Sequence, residues 1–431
     1  MAFRTIKGTH DILPEDSAHW QKLERIIHDT AARFGYSEIR TPIFEDTSLF
    51  SRSVGEDTDI VSKEMYTWED RSGGSLTLRP ELTAPVVRAY IQHNLGRKSP
   101  LQRLYYMGPL FRRERPQKGR QRQFHQFGIE AFGSEFPEQD AEIIAIGHTI
   151  FSELGLKDIS LKLNSLGSGE CRSQYTHALK NYLSPLKDQL SSTSQQRLET
   201  NPLRILDTKN PDEQNLIADA PTIADYWTAD DKIHFSTVQQ LLNELNIPFE
   251  IDYQMVRGLD YYTRTTFEFI SGNLGAQDAI CGGGRYDGLV ETLGGKPTPA
   301  IGFAAGMERI LMSMDFDNNN TEHNTVYLIN LVESASGQAL SMANELRELG
   351  YNVITDTLRR SLKAQLRDAN RVGALKAVII GEEELKNETV QINCGKSFSC
   401  TSNCSDGSDC CHEQCNSKNP KRVVKRKNPV Q

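Results

Sequence analysis

One stretch of this chain concentrates cations: Arg97, Lys98, Arg103, Arg112, Arg113, Arg115, Lys118, Arg120 and Arg122 stand against a single acid, Glu114. Prolines, glycines and aromatics interrupt the run, so its charges do not follow the stripe of a solvated surface helix. A guanidinium presents a planar fork of donors that matches phosphate and carboxylate oxygens and stays charged at every relevant pH. The chain contains no GxxxxGK[ST] and no GxGxxG between a strand and a helix, so a nucleotide would be held by side chains rather than by a glycine cradle. Arg112, Arg120 and Arg309 are the candidates. A triphosphate clamped by arginines leaves a substrate carboxylate free to attack its α-phosphorus, which gives an acyl-adenylate and pyrophosphate.

Positioning such groups takes a sizeable scaffold, and 431 residues allow two or three domains. Residues 17–34 carry Trp20, Leu23, Ile26, Ile27, Ala31 and Phe34 at helical spacing, and Gly35 follows as a stop. Residues 36–43 alternate like a strand, with Pro42 placing it at an edge or end. Further strands are expected at 75–78, 104–107, 126–132, 159–163, 265–270 and 278–281. They recur without a regular βαβ rhythm, which predicts an α+β fold built on an antiparallel sheet. Residues 167–246 read as a polar, helical insertion into a catalytic domain of residues 1–320. The asparagine-rich passage 315–324 is the best linker. After it, residues 325–392 alternate strands and helices as a small α/β domain.

The net charge of −8 excludes a protein that coats nucleic acid indiscriminately, since such binding comes from neutralising phosphates. No stretch approaches the ~20 apolar residues of a membrane span, and no signal-peptide pattern opens the sequence, so a cytoplasmic protein is expected. Only Cys171 and Cys281 fall in the first 393 residues, whereas Cys394, Cys400, Cys404, Cys410, Cys411 and Cys415 crowd the end. Residues 393–431 are rich in Cys, Ser and Lys, carry almost no apolar periodicity, and read as an irregular tail. A zinc site there lacks any CxxC pair, so an altered terminus is the stronger reading and no metal ligand is assigned.

Several passages resemble the class II aminoacyl-tRNA synthetases. Arg112 to Glu114 within FRRER, followed by a loop and then Gln123, Phe124 and His125, is similar to that family's second motif. Gly302 to Arg309, GFAAGMER, is similar to its third, and the 36–42 strand to its first, whose proline lies at a dimer interface. RGLDYY at 257–262, GGGRYD at 282–287, KGTHDILP at 7–14 and LRPELT at 78–83 resemble signatures of the histidine–tRNA ligase branch.

The resemblance implies activation of L-histidine with ATP and Mg²⁺, transfer to tRNA(His), and a homodimer formed through the catalytic domain. It implies that Glu81, Thr83 and Gln126 take the substrate ammonium and that Glu130 and Tyr262, with Tyr261 adjoining, read the imidazole. Arg257 and Arg112 would act between carboxylate and α-phosphate. Arg120 and Arg309 would hold the outer phosphates, Glu114 the adenine amino group, and Phe124 would stack on adenine. Gln117 and Arg122, in the polar loop between the two halves of the second motif, would meet the tRNA acceptor end. Glycines 282–284 admit a tight turn or a close approach to substrate, and Arg285 and Tyr286 beside them favour the second. The 325–392 domain resembles an anticodon-binding module, incomplete at its end, with Arg359, Arg360, Lys363 and Arg367 as its cations. A silent histidine-sensing regulatory paralogue of histidine biosynthesis is the alternative; such relatives tend to lose the anticodon module, which this chain retains.

Overall fold

The computed structural model describes residues 3–55, 58, 60–117, 119–208, 210–256, 261–272, 279–314, 324–394 and 421–425. The chain divides into two compact units, Met1–Asp315 and Phe316–Gln431.

In the first unit a helix spans Pro14–Arg33, with Glu15 and Asp16 in its first turn, where acids favour the helix dipole. Its Leu23, Ile27 and Ala31 are fully buried at the expected spacing. The chain then forms β1 (Ser37–Glu38), β2 (Phe44–Asp46), β3 (Tyr66–Glu69), β4 (Ser75–Leu78), β5 (Gln102–Phe111), β6 (Gln123–Phe132), β7 (Ile159–Ser165), β8 (Glu250–Ile251), β9 (Thr263–Ser271), β10 (Ala279–Arg285) and β11 (Ala300–Gly306). Eight of these make one sheet in the order β1-β5-β6-β11-β10-β9-β7-β8, and β2-β4-β3 make a small second sheet. Every interior pair of the large sheet is antiparallel, and the two edge pairs, β1 with β5 and β7 with β8, are parallel.

The strand expected over 36–43 forms a ladder only at Ser37 and Glu38. Beyond it Ile39 donates its N–H to Tyr105 O (2.8 Å). Arg79 Nη1 then donates to the carbonyls of Thr41 (2.8 Å) and Pro42 (3.2 Å), so a buried guanidinium replaces the missing ladder.

Pleating gives the sheet two different faces. Phe127, Ile129 and Ala131 of β6, Ile301, Phe303 and Ala305 of β11, Phe267 and Phe269 of β9, and Leu161 and Leu163 of β7 belong to one apolar core. The helices Pro14–Arg33, Pro137–Glu153 and Ala229–Glu244 contribute to the same core. The alternate residues face the other way: cross-strand pairing aligns Gly128, Ala304, Gly282, Glu268 and Lys162 in a single row. Three small residues thus precede two charged ones.

The helical passage expected over 167–246 divides in two. Helices from Gly169–Leu183 through Pro211–Ile217 build a separate core around Cys171, Tyr175, Leu179, Leu198 and Ile205. Helix Ala229–Glu244 instead sends Phe235, Val238 and Leu242 into the sheet's core. Its periodicity equals that of its neighbours, so only packing separates it from them.

In the second unit β12 (Thr325–Asn330), β13 (Asn352–Thr355), β14 (Lys376–Ile380), β15 (Thr389–Cys394) and β16 (Lys421–Lys425) form a sheet in the order β13-β12-β14-β15-β16. The first three are parallel, and helices Ser336–Glu348 and Leu362–Arg371 accompany them. The tail is not irregular throughout, because the backbone of Lys421–Lys425 pairs with β15. Cysteines 400 to 415 lie outside the described residues.

Candidate active site

The polar face of the large sheet carries a cavity of about 540 Å³, whose lining includes Glu81, Thr83, Arg112, Gln126, Glu130, Tyr261, Tyr262 and Tyr286. Glu130, almost wholly buried, accepts hydrogen bonds from Thr83 Oγ1 (2.8 Å), Tyr106 (3.2 Å) and Tyr286 (2.5 Å). Burial pushes its carboxyl up to about 8, while these hydroxyl donors pull the other way. Backbone shape makes the constellation possible. A Cβ at Gly302 would lie 1.8 Å from Glu130 Oε2, and one at Gly128 would lie 2.2 Å from the Tyr106 hydroxyl. Burial raises Glu81 as well, although its carboxylate accepts the backbone N–H groups of Thr83 (2.7 Å) and Ala84 (2.9 Å) at the start of helix Thr83–Gln92. Tyr106, Tyr261 and Tyr286 are all held neutral by burial and so remain hydroxyl donors.

A second cavity of about 250 Å³ is lined by Arg112, Glu114, Arg120, Phe124, Glu308 and Arg309 among others. The Arg112 guanidinium lies 5.2 Å from the Phe124 ring centroid, and its Nε donates to Pro80 O (2.9 Å). Glu114 sits between Arg112 (3.8 Å) and Arg120 (3.4 Å). Its buried Oε2 accepts no hydrogen bond among the described residues. Arg309 donates to Ala279 O (2.7 Å) and Gly119 O (3.2 Å), which ties the loop between β5 and β6 to the sheet. That loop is a tight hairpin. Gln117 and Arg120 exchange backbone hydrogen bonds (3.1 and 2.9 Å) around Gly119, whose φ is +76°. Gly8 closes it from outside, accepting the N–H groups of Arg122 (2.7 Å) and Gln123 (3.2 Å). With φ at +90°, and a Cβ there set to lie 2.9 Å from both Arg122 Cγ and Pro116 Cγ, that position suits only glycine.

The two cavities meet: Arg112, Gln126, Gly282 and Ala304 line both. A carboxylate held in the first can therefore face a phosphate held in the second across a floor of backbone, with Arg112 reaching each.

The family model for histidyl-tRNA synthetase matches residues 8–310, and that for an anticodon binding domain matches residues 325–397. The chain belongs to the histidyl-tRNA synthetase family. It is 49% identical over 392 residues to the histidine–tRNA ligase of Gloeothece citriformis, covering 91% of each chain. It is 50% identical over 394 residues to that of Thermosynechococcus vestitus, covering 91% of this chain and 92% of the relative. Among solved structures, the apo histidyl-tRNA synthetase of S. aureus superposes with a TM-score of 0.76 at 37% identity, covering 91% of this chain and 94% of that one.

Within this family member the residues expected around histidine, Glu81, Thr83, Arg112, Gln126, Glu130, Tyr261 and Tyr262, share the first cavity. Those expected around ATP, Arg112, Glu114, Arg120, Phe124 and Arg309, share the second. Arg257 lies outside the described residues. Gln117 and Arg122 sit in the hairpin loop, where Arg122 Nε donates to Glu114 O (3.4 Å).

Arg285 is placed differently from expectation. It is fully buried, paired with Asp140 and Asp287, and donates to the carbonyls of Ser134 (2.8 Å) and Phe136 (3.2 Å). His234 joins Asp140 at 3.1 Å. Arg285 thus fixes the strand from below while its neighbour Tyr286 faces the cavity, as alternation requires. In the second unit Arg360 is bound by Asp356 (2.6 Å) and Asp368 (2.9 Å), exposed Arg359 pairs with Glu333 (2.7 Å), and Lys363 and Arg367 are exposed on helix Leu362–Arg371.

Sequence reasoning missed Tyr106, Gly128, Gly302 and Glu308. Glu308 accepts the His125 backbone N–H (2.9 Å) and meets its Nδ1 at 2.9 Å, locking the second motif to the third. The glutamate in GMER was a visible signal; the others depend on cross-strand register.

Proposed function

We infer that this chain activates L-histidine with ATP and transfers the histidyl group to the 3′ end of tRNA(His). The observation that carries the reading is the junction of two cavities at Arg112, Gln126, Gly282 and Ala304. In the first step a histidine carboxylate oxygen bonds to the α-phosphorus, the bond to the β-phosphate oxygen breaks, and pyrophosphate leaves with the electron pair. Arg112, joined by Arg257, offsets the charge that develops. Arg120 and Arg309 hold the outer phosphates, and Phe124 stacks on adenine. The buried Oε2 of Glu114 supplies an acceptor for the adenine amino group. Mg²⁺ enters with ATP as part of the substrate.

In the other cavity Glu81, Thr83 and Gln126 receive the ammonium. Glu130 accepts one imidazole N–H, Tyr262 donates to the second ring nitrogen, and Tyr261 packs beside it. An apolar analogue would leave these buried groups unpaired, which is a strong source of selectivity. In the second step a ribose hydroxyl oxygen of the terminal nucleotide bonds to the acyl carbon, the carbon–oxygen bond to AMP breaks, and AMP departs with the electron pair and the hydroxyl proton. Gln117 and Arg122 face the acceptor end of the tRNA, and the second unit reads its anticodon. Exposed Ile43, Phe44 and Trp68 on and beside the small sheet favour a homodimer through the catalytic unit. No helix among the described residues is long and apolar enough to cross a membrane, and we place the protein in the cytoplasm.

Histidine-dependent exchange of pyrophosphate into ATP tests the first step, and charging of tRNA(His) tests the second. Arg257→Ala is expected to abolish exchange, whereas Arg122→Ala preserves exchange and weakens charging. Absence of exchange with histidine in the unsubstituted protein would falsify the reading.

A further inference from the structure

We propose that Arg172, on the first helix of the insertion, is a positioning residue for histidine recognition because it holds the backbone from which Tyr262 projects, an inference that rests on the ligase reading above. Tyr262 belongs to two surroundings at once. It lines the first cavity, yet it is almost wholly buried in the insertion's own apolar cluster, with Cys171, Tyr175 and Leu179 of helix Gly169–Leu183. Half-buried Arg172 of that helix donates from Nη1 to the Tyr262 carbonyl (3.0 Å). Two residues on, the root of the insertion holds the same segment again. Leu166 donates its N–H to Arg264 O (2.7 Å), and Arg264 donates its own to Gly167 O (2.8 Å). Arg264 has φ at +46°, a left-handed conformation that a residue with a side chain keeps only when its neighbours hold it there. Asp231 of helix Ala229–Glu244 lies 3.6 Å from the Arg264 guanidinium and accepts the Ser168 hydroxyl (3.1 Å), which closes the root.

The sheet contributes differently. A Cβ at Gly284 would lie 3.0 Å from Tyr262 Cδ1 and 2.6 Å from Thr265 O, so the glycine leaves a slot for the ring. The sheet thus makes room for the ring while the insertion fixes its backbone. A hydroxyl that must meet a ring nitrogen at hydrogen-bond distance tolerates a displacement of only about 0.5 Å. The second cavity has no such dependence: among the described residues, none that lines it belongs to the insertion or to 261–264. Loosening Arg172 should therefore weaken histidine and spare ATP.

Histidine-dependent exchange of pyrophosphate into ATP, measured on the full chain, tests this. Arg172→Met keeps the apolar stem and removes the donors; the histidine KM is expected to rise about tenfold, with the ATP KM and kcat within about twofold. Arg172→Lys, which restores a cationic donor, should return the histidine KM to within about threefold. In a Tyr262→Phe background, Arg172→Met should raise the KM by less than about twofold more, since no hydroxyl is left to position. Asp231→Asn preserves the helix cap while weakening the hold on Arg264, and reads the second attachment independently: the histidine KM should rise about threefold and the ATP KM stay unmoved. An unchanged histidine KM in both Arg172→Met and Asp231→Asn, equal rises for histidine and ATP, or losses that add in full with Tyr262→Phe would overturn the assignment and leave the ligase reading standing. Failure of histidine exchange in the unsubstituted protein would overturn the ligase reading itself.

Discussion

The chemistry we propose for the first cavity turns on one carboxyl group. Glu130 holds its proton up to about pH 8 because burial outweighs its hydroxyl donors. If the carboxylate form accepts the imidazole N–H, the histidine KM falls as pH rises through that value. Tyr286→Phe removes a donor that favours the carboxylate, so the bend in log KM against pH should move upward and KM at pH 7 should rise roughly tenfold. A pH series of exchange rates checks this; an unmoved bend would show that Tyr286 does not tune Glu130. The charged and aromatic members of the site were legible in the sequence because their residue types state their chemistry. Tyr106 was not. It reaches Glu130 only because Gly128 leaves a gap beneath its hydroxyl, and that gap depends on which residues two strands place opposite each other.

Between elements, a buried ion cluster performs a task that no single strand could. Arg285 of β10, Asp140 of helix Pro137–Glu153 and His234 of helix Ala229–Glu244 lock strand to helices beneath the cavity. Asp140→Ala leaves Arg285 charged, buried and short of its main partner, which typically costs about 3–5 kcal/mol. A denaturant melt should show that loss, whereas Asp287→Asn, which touches the more exposed partner, should cost less. Element types were largely readable: the first helix, the long hairpin strands and the alternation after residue 324 all followed from periodicity. Their allegiance was not. Helix Ala229–Glu244 has the same pattern as the insertion's helices, and Arg285 sits in a motif that reads as a substrate loop, yet both serve the core. Hydrophobic spacing shows that a face is buried and says nothing about which neighbour covers it.

Across the whole molecule the chain divides into two units, each with its own apolar clusters, and we propose that both chemical steps belong to the first and recognition of the anticodon to the second. A chain ending at Met314 is expected to keep histidine-dependent exchange within a few-fold and to lose charging of tRNA(His) by tenfold or more. Comparing both rates in the full and shortened chains decides it, and equal charging would remove the second unit from tRNA recognition. Within the first unit, Arg112 lines both cavities. Under the proposed assignment of histidine to the first cavity and ATP to the second, that position makes them thermodynamically linked ligands: whatever factor one contributes to the other's affinity must be returned in equal measure. A non-hydrolysable adenylate mimic, which engages Arg112 from both sides within one molecule, should therefore bind more tightly than the two half-ligands together. Substituting Arg112 should erase that synergy before it erases either separate affinity.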